Sequence, residues 1–370
     1  MARRRYLPPD QDLVHVSFKC VGDAFLMRPD SYASFVIATA LGAAAAKYGV
    51  RVHAFAFLSN HGHLLLGVRG CRLDAFMQLM KARIARALNA ARGRDGAFFK
   101  QRYRCEPVLS DEAALGIEQY VHQQAVAHDL VERAVEWPGL CSSSISRQPR
   151  REAAEFERKR ERARTPGVRR TASTPQRGGR TKAAVSPKSP RQSRALARNR
   201  GSYAAVIAGR DRVEARWFDD DAWRRAGARQ RDRAAFVRTA SVPLSPLPQR
   251  VGLCEREIGT AREALARSMR NAEAAAARRR KEAGARRLPA PSRYTRQDPG
   301  TVPERRGQKR KGPQPMAHGS TEQVRAFVEA YGRVMEAYDC ASARYRATGV
   351  LCAFPAGTFP PRIPIAREVS

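Results

Sequence analysis

The run Ala54-Phe55-Ala56-Phe57-Leu58-Ser59-Asn60-His61-Gly62-His63-Leu64-Leu65-Leu66 constrains the fold more than any other stretch of the chain. Two apolar segments of strand length flank Ser59-Asn60, a pair suited to a tight connection because asparagine tolerates positive φ. The run therefore predicts an antiparallel hairpin. Side chains alternate between faces along a strand, so His61 and His63 point to the same face, with imidazoles close enough to share one cation. An apolar strand gains nothing from two adjacent imidazoles unless something binds them. Taken alone, the motif also fits a pair of partly exposed strand histidines with no ligand.

Around this hairpin, from Leu13 to about Ser144, apolar runs, helical periods and turn signals alternate as a packed domain requires. Strands are expected at Val14 to Cys20, Arg51 to Leu58, His61 to Val68 and Tyr103 to Val108, and helices at Pro29 to Tyr48, Leu73 to Ala91 and Asp111 to Val131. The order βαββαβα predicts an α+β fold, a ferredoxin-like antiparallel sheet with helices on one face.

Charge narrows the partners. The 370 residues carry a formal net charge of +34, with a sequence pI near 11.2, so a polyanion is expected. Nucleic acid suits this better than a membrane, because no run of about 18 apolar residues occurs. The basic start Ala2-Arg3-Arg4-Arg5 reads as a short arm and not as an export signal, which implies a cytoplasmic, nucleoid-associated protein. The seven cysteines are scattered without a C-x-x-C pair, so neither a disulfide framework nor a zinc ribbon is indicated.

Beyond residue 146 the character changes. Between Arg147 and Arg200 there are 18 Lys or Arg against 4 Glu and no Asp, interleaved with Pro, Ser, Thr and Gly. Such a segment buries too little apolar surface to offset its ordering entropy, so 147–202 reads as a disordered basic linker. Residues 203–290 read as a weakly helical basic region with Trp217, Phe218, Trp223 and Phe236 as anchors, and 291–320 as a second loose linker. Over 321–370 an amphipathic helix from Thr321 to Arg346 is followed by a proline-bound tail that can dock through Phe354 and Phe359.

A second constellation sits after the last strand of the first domain. Ser110 can cap a helix whose first turn holds Asp111 and Glu112, favourable at the positive end of the helix dipole. Along it, Tyr120 and Gln124 stand four residues apart and share one helical face. A tyrosine phenol can attack a phosphodiester, a neighbouring divalent ion can stabilise the developing charge, and the Gln124 oxygen can complete that ion's coordination. A tyrosine that merely packs its helix onto the sheet is the alternative, and Tyr103 is the second candidate nucleophile. Lys81, Arg83 and Arg86 on one helix, with Lys100, Arg102 and Arg104 on the following strand, can track a phosphate backbone. Phe98 and Phe99 interleave with these charges, as stacking platforms or as core. His53, His122 and His128 read as structural or surface histidines.

Together, Asn60-His61-Gly62-His63-Leu64-Leu65, Phe76-Met77, Gln101-Arg102-Tyr103-Arg104, Val108-Leu109-Ser110-Asp111, Tyr120-Val121 with Gln124, Leu130-Val131, Glu136-Trp137-Pro138 and Ser142-Ser143-Ser144 resemble the single-tyrosine HUH transposases, in particular the REP-associated tyrosine transposases with their IS200-like domain. The resemblance covers roughly residues 5 to 146. It implies metal-dependent cleavage and strand transfer of single-stranded, hairpin-containing DNA, with His61, His63 and Gln124 binding Mg²⁺ or Mn²⁺ and Tyr120 joined to a 5′ phosphate. Such enzymes act as monomers or homodimers. A catalytically inactive relative serving as a DNA-binding regulator is the alternative. Three positions depart from the family's habit. Gly62 stands where a bulky apolar residue is usual, which removes packing on the opposite face. Gln124-Ala125 replaces the frequent Asn-Pro. Asp129 stands where Gly often ends the helix, and Asp tolerates a left-handed cap.

Overall fold

The computed structural model describes residues 6–68, 72–100, 102–143, 207–208, 212–227, 230–251, 254–284, 288–303, 316–350 and 352–358. The basic linker expected over 147–202 lies outside the described residues, as do Gln101 and the arm residues Ala2 to Arg5.

The first domain follows the predicted order: β1 (Leu13–Lys19), α1 (Ser31–Tyr48), β2 (Arg51–Phe57), β3 (His61–Gly67), α2 (Leu73–Ala91), β4 (Arg104–Pro107) and α3 (Asp111–His122). Its four strands form one sheet in the order β2-β3-β1-β4, every neighbouring pair antiparallel, which is the ferredoxin-like arrangement. Helix ends use local chemistry. Asp30 accepts a hydrogen bond from the Ala33 amide at the start of α1, and Gly49 takes the left-handed conformation at its end. The predicted Ser110 cap on α3 is present and accepts from the Ala113 amide.

Strand alternation divides the sheet into two unlike faces. Val14, Val16, Phe18, Phe55, Phe57, Leu64 and Leu66 form one core with α1 and α2. Leu13, Ala54, Ala56 and Leu65 turn to the other face and pack with Ala114, Ile117 and Val121 of α3. This corrects the layering expected from sequence: α1 and α2 share a face, but α3 covers the opposite one. A helical period reports that a helix has an apolar stripe, and the sheet face that receives it is decided by which face still has apolar surface to cover.

Both edges of the sheet are covered, which removes the hazard of unpaired strands. Along β2, the Phe57 amide donates to the Leu140 carbonyl and the Ser142 amide to the Phe55 carbonyl. Along β4, the His318 amide donates to Pro107 and the Leu109 amide to His318, bridging Val108 to His318 in parallel.

The region over 203–290 is not simply helical. It contains β5 (Ile207–Ala208), β6 (Arg212–Phe218), a short helix α5 (Asp220–Arg225), β7 (Val237–Pro243) and a long helix α6 (Glu255–Glu282), numbered after the one-turn helix α4 (Gln124–Ala127). The three strands make an antiparallel sheet whose Val213, Ala215, Ala240 and Val242 join the core around α1. A Cβ on Gly42 of α1 would lie 2.6 Å from the Ser241 carbonyl oxygen, so glycine permits this close approach of helix to strand. Arg212-Val213-Glu214-Ala215 does alternate, but its apolar half is short and small and becomes a strand only because α1 supplies the surface to cover. Met269 and Ala276 of α6 pack into the α3 core.

Part of the loose linker expected over 291–320 is likewise packed: Tyr294 is buried with its ring 5.4 Å from Trp137, and Ala317 is buried. The predicted amphipathic helix is α7 (Thr321–Thr348). Its Phe327 stacks on Tyr6 at 5.9 Å, and its Tyr338 meets Phe354 of the tail at 5.1 Å. Phe359 lies outside the described residues. Among the described residues no helix is long and apolar enough to cross a membrane.

Candidate metal and nucleophile site

The β1–β3 register sets His61 opposite Lys19 and His63 opposite Ser17, on the sheet face that α3 covers. As the period of two requires, the imidazoles lie together, ring centroids 5.3 Å apart. The connection before them departs from expectation in its reason, not its place. Positive φ among the described non-glycine residues occurs at Asp23 and Asp129, and not at Asn60. The Asn60 side chain instead orients His61, because its Nδ2 donates to the Asp23 carbonyl at 3.0 Å and its Oδ1 accepts from His61 Nδ1 at 2.7 Å. With Nδ2 committed to a carbonyl, the oxygen must face His61, which fixes the His61 proton on Nδ1 and leaves the lone pair on Nε2.

His63 is held by a longer chain. Its Nδ1 lies 3.1 Å from His15 Nε2, and His15 Nδ1 lies 3.0 Å from Glu106 Oε2. A carboxylate only accepts, so His15 donates from Nδ1, accepts from His63 Nδ1, and leaves His63 with its lone pair on Nε2. Burial pushes the Glu106 carboxyl up, but the hydrogen bonds from His15 and His318 outweigh it and hold Glu106 at about 2. Burial, aided by the neighbouring His128 and Lys19, lowers His61 to about 3. Burial and the adjacent His61 and His15 hold His63 well below the usual histidine range. Both imidazoles are thus neutral near pH 7, the state a metal ligand requires.

Tyr120 stands over this pair. Its ring is edge-on, 5.5 Å from His63 and 5.7 Å from His15, and the residue is 45% exposed. The helix carrying it does not run unbroken to Val131 as the sequence suggested: α3 ends at His122, Gln123 lies outside helical geometry, and α4 restarts at Gln124. At the break, Gln124 Nε2 donates to the Tyr120 carbonyl at 3.0 Å. Gln124 is 1% exposed and its Oε1 is buried without a hydrogen-bond partner. An unpaired buried amide oxygen is costly to leave without a partner. His61 and His63 offer ring nitrogens and Gln124 an amide oxygen, donor types that a divalent ion accepts. Asp129, at φ +53°, supplies the left-handed turn expected there.

The other candidates separate. Tyr103 is buried in the α1/α2 core, on the face away from the histidines, which excludes it as nucleophile. Phe98 belongs to the same core, and Phe99 packs edge-on against Phe18 at 5.5 Å. Lys81 Nζ reaches the Lys100 carbonyl at 3.2 Å, and Lys100 pairs with Asp23, at the sheet end where Asp23 holds Asn60. Arg102 is exposed, and Arg104, on the histidine face, pairs with Glu106 Oε1 at 3.2 Å. Arg83 and Arg86 are exposed on α2, across the sheet from Tyr120. His53 is structural, its Nδ1 donating to the Ser245 carbonyl at 3.0 Å. His122 is buried, whereas His128 is exposed with its ring 5.1 Å from His61, closer to the site than a surface reading implied.

Sequence reasoning missed three residues. His15, Glu106 and His318 converge, with Glu106 Oε2 at 3.0 Å from His15 Nδ1 and 3.0 Å from His318 Nε2, and the two nitrogens 3.3 Å apart. Strand alternation places His15 on the face of His63, a signal present in the sequence, but nothing local pairs it with Glu106 or with a histidine some three hundred residues away.

Residues 32–124 match the model of the family described as Transposase IS200 like, a span running from α1 to Gln124 and containing both histidines and Tyr120. That segment is similar to the IS200-like transposases. The chain is also similar to the solved structure of a REP-associated tyrosine transposase bound to a REP hairpin, at 14% identity and a TM-score of 0.30, covering 50% of this chain and 99% of the other. A further similarity is to a protein described as a transposase from Deinococcus radiodurans R1, at 18% identity and a TM-score of 0.24, covering 34% of this chain and 97% of that one. No curated protein matches the chain.

Proposed function

We propose that the protein cuts and rejoins single-stranded DNA, with Tyr120 as nucleophile and His61, His63 and Gln124 holding Mg²⁺ or Mn²⁺. The observation that carries this reading is the Tyr120 ring 5.5 Å from His63, in a residue whose backbone carbonyl is gripped by Gln124, a side chain with a buried, unpartnered Oε1, while the Nδ1 atoms of His61 and His63 are already committed. The bound ion would polarise the scissile phosphate and offset developing negative charge.

The protein's own groups do the rest. Asn60 and the His15–Glu106 pair hold the two ligand imidazoles neutral and in one tautomer, so no reorganisation is needed on loading. Tyr120 Oη attacks the phosphorus, forming a tyrosine–phosphate bond to the 5′ side and releasing a 3′ hydroxyl. Attack of a 3′ hydroxyl on that phosphotyrosine restores Tyr120 and rejoins the strand, so no external energy source is consumed. The exposure of Tyr120 gives a strand access to it. Lys81, Lys100, Arg102 and Arg104 would track the phosphates of a single strand with an adjoining hairpin.

Labelled single-stranded DNA from the flanks of the gene, incubated with the protein and Mn²⁺, should yield a denaturant-resistant protein–DNA adduct. Tyr120→Phe should abolish it, and the double change His61→Ala, His63→Ala should reduce it at least about a hundredfold while DNA binding persists. An adduct of wild-type yield from Tyr120→Phe would overturn the assignment. Binding without any adduct from the wild type would leave a DNA-binding regulator without catalysis.

A further inference from the structure

We propose that His15, Glu106 and His318 form a second cation site, selective for a borderline divalent transition metal of the zinc class, distinct from the site on His61, His63 and Gln124. The three donor atoms make a triangle with edges of 3.0, 3.0 and 3.3 Å. A tetrahedral ion with bonds of about 2.0 to 2.1 Å needs donor separations of about 3.3 Å, so the ligands require only a few tenths of an ångström of adjustment. His15 is 4% exposed and Glu106 7%, while His318 is half-buried.

Each ligand is already oriented by the fold. His15 and Glu106 face each other directly in the β1–β4 register. His318 is fixed by backbone bonds on both sides, its amide to the Pro107 carbonyl and its carbonyl to the Leu109 amide. Glu106 offers only Oε2, because Oε1 is paired with Arg104 at 3.2 Å, and His15 is steadied through Nε2 by His63. Ligating histidines and carboxylates held by partners of this kind are what metal sites use to set orientation. Two imidazoles and one carboxylate suit zinc, cobalt or nickel.

Occupancy would have a consequence next door, and this part rests on the proposed role of His61 and His63. A cation on His15 takes the Nδ1 lone pair and moves the proton to Nε2. His63 must then accept at Nδ1, and its own proton goes to Nε2, the atom the first site needs. Zinc in the second site would therefore oppose Mn²⁺ in the first.

The test uses the metal-stripped full chain titrated with Co²⁺, whose visible absorption reports tetrahedral nitrogen and oxygen ligation. Compared with the wild type, His318→Ala should lose one bound equivalent, with circular dichroism confirming that it is folded. His318→Cys should restore the equivalent and add a near-ultraviolet thiolate-to-cobalt band. Equal stoichiometry in wild type and His318→Ala, or no such band in His318→Cys, overturns the site. In the adduct assay with Mn²⁺, added Zn²⁺ should suppress the wild type at least about tenfold more than His318→Ala, and equal suppression overturns the coupling. The Co²⁺ count does not depend on cleavage, so a protein that forms no adduct under any metal would refute the nuclease reading while leaving this site to stand or fall by itself.

Discussion

The two faces of the central sheet are made from the same four strands, one residue out of step with each other, and they have opposite characters. On the face toward α1 and α2, Val14, Val16, Phe18, Leu64 and Leu66 make a dry core. On the face toward α3, their sequence neighbours include His15, Ser17, His61 and His63, and Glu106 joins them from β4. The apolar face needs only volume and shape. The polar face needs its buried donors and acceptors matched, and the Gln124 oxygen is left without a hydrogen-bond partner. A rigid dry layer behind a pre-organised polar layer holds the ligand imidazoles still.

If the faces divide labour in this way, damage to the dry face should cost stability first. Phe18→Ala should destabilise by about 3–5 kcal/mol in denaturant unfolding, the usual range for an emptied aromatic core position. A result under about 1 kcal/mol would mean that the ring does not carry that layer.

Gly62 tests the seam between the faces. A Cβ there would lie 2.5 Å from Phe18 Cζ, so the missing side chain is the space that the Phe18 ring fills. This corrects the expectation that Gly62 leaves the opposite face unpacked. Gly62→Ala should cost about 1–3 kcal/mol by overpacking, and Phe18→Leu in the same chain should recover part of it. Additive losses from the two changes would break the account.

The polar face should reveal itself through pH. His61 and His63 are held below the ordinary histidine value of 6.5, His61 to about 3. Between those values the unfolded chain binds protons that the native one does not, so the stability of the metal-free protein rises with pH across the window and is lost as pH falls through it. The melting temperature should drop on acidification from pH 7 to 5, with a shallower slope in His61→Asn. A flat profile would show that these imidazoles are not buried neutral.

The smallest effect concerns charge at the margins. Arg104→Ala should lower the salt slope of single-strand binding by about 0.7, one phosphate contact. Arg83→Ala, on α2 across the sheet, should leave it unchanged. Equal effects would mean that the strand does not follow the histidine face.

Much of this was legible in the chain. The Ser59-Asn60 connection, the shared face of His61 and His63 and the Ser110 cap depend on neighbours within a few residues, where strand and helix periods operate. The role of Asn60 was not, because the place of the turn is a local matter, whereas the hydrogen bond to Asp23 that orients its amide joins it to a loop before α1. The break at Gln123 escaped the pattern for a similar reason: the helical period continues through it, and only the buried surroundings of Gln124 show its side chain gripping the Tyr120 carbonyl.

The sequence alone determined that an antiparallel sheet would present two histidines on one face and a tyrosine helix after its last strand, because a period of two and a period of 3.6 are properties of the backbone. Only the tertiary structure decided that α3 would cover that face, that Arg212–Phe218 and Val237–Pro243 would form strands on α1, and that His318 would reach Glu106 beside His15. These contacts join segments whose separation along the chain carries no local signal, and they exist because a buried carboxylate and uncovered apolar surface must each find a partner somewhere in the folded chain.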